Sequence, residues 1–294
     1  MTGGPAAYES SSTGSPRSST AASSPPSFTA TTGTKAWNVE LVAGRTDTPV
    51  VPQVAAGRAE FGVSDASQVL LARAQGAPIV ALLAGLQHNP RCIMVHESSG
   101  VTGLADLRDA TLAMSAHDPA AAFLLQKFNW PNVQVVPYSG SIAPFLLDPR
   151  AAQQAYVFSE PILAEAQNAR VRCLMVKDLG FDPYASVLVT SEAVLRERRD
   201  LAVRIAVATA RGWEQYLRDP RAANAEIQAR NAELSLEAVA RGAAALAPLG
   251  RGSARVGAMD LGRWQTLADQ LVAAGLLSPG AVDPAQAYMP DFVR

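Results

Sequence analysis

The sequence predicts an α/β protein with a helical C-terminal region, on two observations. Between residues 38 and 190, short apolar runs of strand length alternate with segments whose apolar residues recur at helical spacing. After Glu192 the strand patterns stop and each periodic segment reads as helix. Strands alternating with helices build βαβ units, so the first region is expected to form a mostly parallel sheet covered by helices.

Each element has a local reason. Residues 1–34 are dominated by Ser, Thr, Pro, Gly and Ala, with Tyr8 and Phe28 the only aromatics. Such a stretch buries too little apolar area to offset its ordering entropy, and residues 1–36 are expected to form a disordered segment. Order is expected from Trp37, with a strand at 38–42 and a short helix at 49–56 closed by Gly57. Residues 61–63 read as strand and 67–75 as a helix ended by Gly76, because glycine accepts the left-handed C-cap conformation. Residues 78–83 and 92–95 are apolar runs, Thr102 opens a short turn, and 111–114 is a buried strand. Asp118 followed by Pro119 is an N-cap and first-turn pair that starts a helix to about Phe128. Strands at 133–136, 155–158, 171–176 and 186–190 complete the set. In the helical region Leu201, Ile205, Ala208, Gly212 and Tyr216 form one stripe, Asp219-Pro220 restarts a helix, and Ser235 and Asp260 cap two more. Trp213 and Trp264 read as core anchors rather than ligand platforms.

Composition narrows the function classes. The 294 residues suffice for two medium domains and a sizeable core. The chain is 48% apolar and 17% charged with a net charge of −1, the composition of a globular protein. Its 25 basic residues balance 26 acids, and no basic run exceeds Arg196-Glu197-Arg198-Arg199, so no nucleic-acid surface is expected. No stretch reaches the ~18 apolar residues of a direct membrane span. Lys35, Lys127 and Lys177 are the only lysines, which leaves few positions for Schiff-base chemistry. His88, His96 and His117 show no metal-ligand spacing with cysteine or one another, so no metal is expected. Cys92 and Cys173 lie in apolar, strand-like runs and read as buried structural thiols rather than a disulfide or a reactive site.

Two stretches carry the functional signal. Gln153-Gln154-Ala155-Tyr156-Val157-Phe158-Ser159-Glu160-Pro161 and Ala59-Glu60-Phe61-Gly62-Val63 each run from a strand pattern into small or polar residues. In open α/β sheets that edge is where ligands bind. Glu160 stands between a strand and a helix opened by Pro161, so its carboxylate is a candidate ligand group. An N-cap or first-turn acid of that helix is the alternative.

The order of short motifs extends this. Ala56-Gly57-Arg58-Ala59-Glu60-Phe61-Gly62-Val63 is followed by Ala72-Arg73-Ala74-Gln75-Gly76-Ala77-Pro78-Ile79-Val80, Gln87-His88-Asn89-Pro90, Ile93-Met94-Val95-His96 and Leu104-Ala105-Asp106-Leu107-Arg108. Then come Pro137-Tyr138-Ser139-Gly140, Ala143-Pro144-Phe145-Leu146, the run through Glu160, Asp182-Pro183-Tyr184 and Gly212-Trp213. In this order, over residues 37–293, the chain resembles the SsuA/THI5-like (NMT1/THI5-like) family of periplasmic-binding-protein type II substrate-binding proteins.

The resemblance implies two α/β lobes around a ligand cleft, closing by a hinge. Lobe 1 would hold residues 37–95 plus 190–294 and lobe 2 residues 96–189, with crossings near Val95-His96 and between Tyr184 and Val189. It implies the substrate-binding component of an ABC transporter, with a small-molecule ligand, a permease partner and a periplasmic location. Residues 1–36 nevertheless show no basic n-region or apolar h-region of a signal peptide. The family's first strand and helix are missing before residues 38–42, which is expected to leave unpaired strand edges and an incomplete pocket.

Within the family, the THI5-like branch is linked to the thiamin pyrimidine and the SsuA branch to sulfonates. Glu160 can accept from an exocyclic amine, and Tyr138, Tyr156 and Tyr184 can stack on a ring or bond its polar edge, which favours the pyrimidine. A sulfonate- or nitrate-type anion would want arginine or a helix N-terminus, a role open to Ser115 ahead of the Asp118 helix. Phosphorylated pyrimidines would use both features. The expected ligand-binding set is Ser64, Asp65, Gln87, Asn89, Ser115, Tyr138, Ser139, Tyr156, Glu160 and Tyr184. A thiamin pyrimidine phosphate synthase-like enzyme is a further alternative, since eukaryotic relatives make that product from pyridoxal phosphate and their own histidine with a cysteine-rich iron motif. This chain has no cysteine cluster and no histidine before His88, so neither catalysis nor a cofactor is expected. Asp106 and Gly62 are expected to be structural, one closing a turn and the other allowing close packing.

Overall fold

A computed structural model describes residues 27–32, 35–42, 49–115, 118–251, 255–290 and 292. Strands β1 (Ser27–Thr32) and β2 (Lys35–Glu40) pair antiparallel, Ser27 opposite Glu40 and Thr32 opposite Lys35. This corrects the expected disorder at residues 27–32 and 35–36. Phe28-Thr29-Ala30-Thr31-Thr32 is rich in β-branched and aromatic residues, and low complexity masked that local preference. Residues 1–26, 33 and 34 of the same expectation lie outside the described residues.

The remaining strands are β3 (Phe61–Ser64), β4 (Ile79–Leu86), β5 (Arg91–His96), β6 (Thr111–Met114), β7 (Gln134–Pro137), β8 (Ala151–Tyr156), β9 (Val171–Met175) and β10 (Ala185–Ser191). They form one sheet ordered β3-β10-β4 and another ordered β7-β6-β8-β5-β9. In the smaller sheet β3 and β4 both run antiparallel to β10. In the larger, β6 is parallel to β7 and β8, whereas β5 is antiparallel to β8 and β9. The smaller sheet is therefore antiparallel and the larger mixed, rather than either being mostly parallel. β5 and β10 each enter their sheet from the other one, so no helical crossover dictates their direction.

Strand pairing also shifts the boundaries between the two halves. β5 belongs wholly to the larger sheet and β10 to the smaller. The chain crosses at residues 87–90, ahead of the expected Val95-His96, and at 180–184, which meets the expected second crossing at Tyr184. Among the described residues, β3 has a strand partner on one edge only.

The helices are α1 (Val50–Ala55), α2 (Ala66–Ala74), α3 (Pro119–Lys127), α4 (Ala143–Leu147), α5 (Glu160–Ala166), α6 (Glu192–Glu197), α7 (Arg199–Arg218), α8 (Arg221–Arg230), α9 (Leu236–Gly250) and α10 (Leu261–Ala273). The expected caps act as such. Asp118 accepts from the Ala120 N–H, Ser235 from Ala238 and Asp260 from Arg263. Each satisfies an orphan donor of a first turn.

All eight residues of β4 are buried, as are all seven of β10. The main core runs without a break from Ile79 and Val187 in the smaller sheet, through Trp264 of α10, to Leu112 and Leu124 in the larger half. Trp264 and Trp213 are 0% and 5% exposed, core anchors as expected. Two glycines permit the closest helix-on-sheet contacts. A Cβ at Gly62 would lie 2.4 Å from Val50 of α1, and one at Gly85 would lie 2.3 Å from the Trp213 ring of α7. Asp106 accepts from the Thr102 hydroxyl (3.1 Å) and the Gly103 N–H (3.0 Å), closing its turn as expected.

Cys92 and Cys173 form a disulfide across the β5–β9 pair, their Cα atoms 5.5 Å apart. The expectation of two thiols is thus corrected. A sequence separation of 81 residues gave no hint that the two runs are neighbouring strands.

Candidate functional site

The site is a cleft of about 200 Å³ where the two sheets and both crossing segments meet. The smaller sheet contributes Asp65, Ser67 and Gln68, because β3 ends at Ser64 and Asp65 is the N-cap position of α2. The larger contributes Ser115, Asp118, Pro119 and Ala120, because β6 ends at Met114 and leads to the N-cap of α3. The first crossing supplies Asn89, the start of β5 Arg91, and the second crossing Phe181 and Pro183. A carboxylate at a helix N-cap thus stands on each wall.

The Arg91 guanidinium and two backbone N–H groups on the larger-sheet wall are already engaged. Arg91 Nη1 lies 2.5 Å from Asp118 Oδ2, and its Nη2 donates to the Tyr156 hydroxyl at 2.7 Å. The Ala120 N–H donates to Asp118 Oδ1 (2.9 Å) and the Ser115 N–H to Gln154 Oε1 (2.7 Å). The crossings are tied to each other. The Asn89 N–H donates to Asp182 Oδ1 at 2.7 Å, Asn89 Nδ2 donates to the Pro183 carbonyl, and His88 Nδ1 sits 2.6 Å from Asp182 Oδ2.

Of the expected site residues, Asp65, Asn89 and Ser115 line the cleft. Tyr156 stands beside it through Arg91, whose guanidinium is 4.6 Å from the tyrosine ring. Glu160 lies farther back, 7% exposed. Its Oε1 accepts from the Tyr138 hydroxyl (3.0 Å) and its Oε2 from the Tyr156 N–H (2.8 Å). As the first residue of α5 it also carries negative charge where the helix dipole favours it. Burial, reinforced by Glu160, pushes the Tyr138 hydroxyl above its usual range.

The others are placed elsewhere. Ser64 ends β3 opposite Val187 of β10, and Ser139 is exposed on the loop after β7. Gln87 is buried and donates from Nε2 to the Ala258 carbonyl, anchoring the first crossing to the C-terminal region. Tyr184 is 3% exposed; its hydroxyl donates to Asp260 Oδ2 (2.8 Å) and accepts from the Asp260 N–H (3.1 Å), while the Arg263 guanidinium lies 3.8 Å from its ring. Burial is the main cause that pushes its pKa up to about 12.

Arg91 and Asp118 are the charged cleft residues the sequence did not single out. Asp118 showed only as a helix cap, and Arg91 only as the residue ahead of an apolar strand. Among the described residues, no group of three or more His, Cys, Asp or Glu could hold a metal ion. Among them, too, no helix is long and apolar enough to cross a membrane.

A family model described as NMT1/THI5 like matches residues 36–223, more than half of the chain. The chain belongs to the NMT1/THI5-like family. Riboflavin-binding protein RibY of Chloroflexus aurantiacus is 24% identical over 168 residues, 54% of this chain and 47% of that protein, so the match spans about half of that relative's length. Among solved structures, the periplasmic sulfonate-binding protein SsuA of Methylobacillus flagellatus aligns with a TM-score of 0.63 at 13% identity, covering 90% of each chain. The periplasmic aliphatic sulphonate binding protein SsuA of Escherichia coli aligns at 0.64 and 17% identity, covering 84% of this chain and 82% of that one. These likenesses show the fold of this NMT1/THI5-like chain: that of a periplasmic binding protein.

Proposed function

We propose that this NMT1/THI5-like protein is the substrate-binding component of an ABC importer. Its ligand is a small, amino-bearing single-ring molecule of the thiamin-pyrimidine kind, held in the cleft between the sheets. The observation that carries the ligand class is the acceptor-rich lining. Asp65 and Asp118 stand on opposite walls, while Arg91 and the Ala120 and Ser115 N–H groups already donate to protein acceptors. A ligand that brings donors meets carboxylate oxygens there, each able to accept more than one bond, whereas an anion meets an Arg91 guanidinium already paired with Asp118 and Tyr156. The volume, about 200 Å³, is below the ~300–1,000 Å³ of pockets for drug-sized ligands and suits one ring. In this reading Glu160 acts from behind the wall: it holds Tyr156, and Tyr156 holds Arg91.

The two halves serve as lobes, one built on the smaller sheet with the C-terminal helices and one on the larger sheet. A ligand touching both walls favours closure, and so shifts the equilibrium by its differential affinity for the closed state. A permease would read the closed form. The Cys92–Cys173 disulfide supports a periplasmic location, because such bonds persist in oxidising compartments. Relatives named as binding proteins support a carrier rather than a catalyst. The second reading, a sulfonate-type anion, has Arg91 in its favour.

The test is calorimetric titration of the full chain with 4-amino-5-hydroxymethyl-2-methylpyrimidine, ethanesulfonate and riboflavin, each compound tried separately. Tight binding of the aminopyrimidine alone upholds the proposal. Preference for ethanesulfonate or riboflavin overturns the ligand class. An aldimine absorption band on mixing with pyridoxal phosphate would instead support the synthase-like alternative.

A further inference from the structure

We infer that Asp118 decides which charge the cleft accepts: by neutralising Arg91 it closes a latent anion site, which its replacement by asparagine would open. The inference rests on the amino-bearing-ligand reading of the same cleft and names the residue that sets its specificity.

Asp118 does two separable things. One oxygen caps α3 through the Ala120 N–H, and the other pairs with Arg91. The side chains of Arg91 and Asp118 are 14% and 10% exposed, so water screens the pair little and the arginine charge is cancelled where a ligand would meet it. Asparagine caps a helix as well as aspartate does but carries no charge. With its Oδ1 kept on the Ala120 N–H, its Nδ2 takes the place of Oδ2. Two donors, Arg91 Nη1 and Asn Nδ2, then converge where one donor and one acceptor had been matched. An oxyanion is the partner that satisfies both.

Arg91 stays in position without Asp118. Its Nη2 is held by the Tyr156 hydroxyl, and the Tyr156 backbone is held in turn by Glu160. The nine-residue helix α3 adds a favourable dipole for negative charge, with Pro119 and Ala120 of its first turn in the lining. Asp65 remains on the opposite wall, so the variant cleft keeps a carboxylate on one side and gains an anion site on the other.

The experiment titrates wild type, Asp118→Asn and the double variant Arg91→Gln/Asp118→Asn with sodium ethanesulfonate and with 4-amino-5-hydroxymethyl-2-methylpyrimidine at low ionic strength, with melting curves alongside. Asp118→Asn is expected to bind ethanesulfonate ten- to a hundredfold more tightly than wild type, the usual yield of a freed charged donor. The double variant is expected to lose that gain. Asp118→Ser, also a capping residue without charge, stands in if the asparagine variant folds poorly. An unchanged sulfonate affinity in a folded variant overturns the inference, as does a gain that survives loss of Arg91. A wild type indifferent to the aminopyrimidine overturns the proposed ligand but, if the sulfonate gain appears, leaves the role of Asp118 standing.

Discussion

Replacing Glu160 with alanine removes one carboxylate that two donors share, and its effect can be worked out from the contacts it breaks. The Tyr156 N–H and the Tyr138 hydroxyl both lose their partner, in a place where the glutamate itself is 7% exposed. Stranding a buried donor costs about 1–3 kcal/mol. The lost first-turn charge on α5 adds about 0.3–1 kcal/mol. Because the Tyr138 hydroxyl is half-buried and can turn toward water, a total of about 2–4 kcal/mol is expected. For a chain of this size that corresponds to a fall in Tm on the order of 3–7 °C. Glu160→Gln keeps the shape and one acceptor, and the Tyr138 hydroxyl can rotate to accept from the new amide, so about 1–2 kcal/mol is expected. Urea unfolding of both variants, with calorimetric titration of 4-amino-5-hydroxymethyl-2-methylpyrimidine, checks the outcome. Affinity per folded molecule should fall less than about tenfold, because Glu160 does not line the cleft. A hundredfold loss of affinity with an unchanged melting curve would refute this reasoning. It would make Glu160 the direct contact expected from sequence.

Three further outcomes concern the core. Gly85→Ala sets a methyl group against the Trp213 ring, 2.3 Å from its Nε1; overpacking should cost about 1–3 kcal/mol and red-shift tryptophan emission, and a wild-type melting curve would contradict the tight contact. Replacing Cys92 and Cys173 with alanine frees a loop spanning 81 residues. The chain-entropy model puts the loss at about 4–5 kcal/mol, read as a lower urea midpoint, whereas equal midpoints with and without dithiothreitol would show that the bond is not formed. Tyr184 has its pKa raised from 10.0 to about 12 in the folded state, chiefly by burial. The unfolded chain therefore ionises first, so this contribution is intact below about pH 10 and is lost as pH rises toward 12. Tyr184→Phe should flatten the alkaline limb of a Tm–pH curve, and an identical limb would exclude the residue as its cause.

Glu160 shows how far a sequence can see into a site. Its place between a strand and Pro161 marked it correctly as the start of a helix at a sheet edge. Whether its oxygens were free depended on Tyr138, 22 residues away in the chain, whose hydroxyl reaches it through the packing of β7 and β8 on opposite sides of β6. Tyr184 is similar. Its motif is real, but α10 brings Asp260 and Arg263 onto it from 76 and more residues away, and the ring becomes part of the core. Asp118 was legible as a cap because capping is a contact between near neighbours. Its pairing with Arg91 was not, because nothing in the local pattern says that β5 runs past the start of α3.

Most elements, the helix caps, the burial of Trp213 and Trp264, the structural roles of Gly62 and Asp106 and, through the order of its motifs, the NMT1/THI5-like family could be read from the chain alone. These depend on periodicity, backbone preference and side-chain bonds within a few residues, all of which are written locally. The direction of the crossing strands, the Cys92–Cys173 bond and the pairing of Arg91 with Asp118 emerged from the packing of the fold. Each of these depends on which distant segments become neighbours. That is settled when two sheets bury their apolar faces together, and the cleft inherits whatever polar groups the packing leaves at the seam.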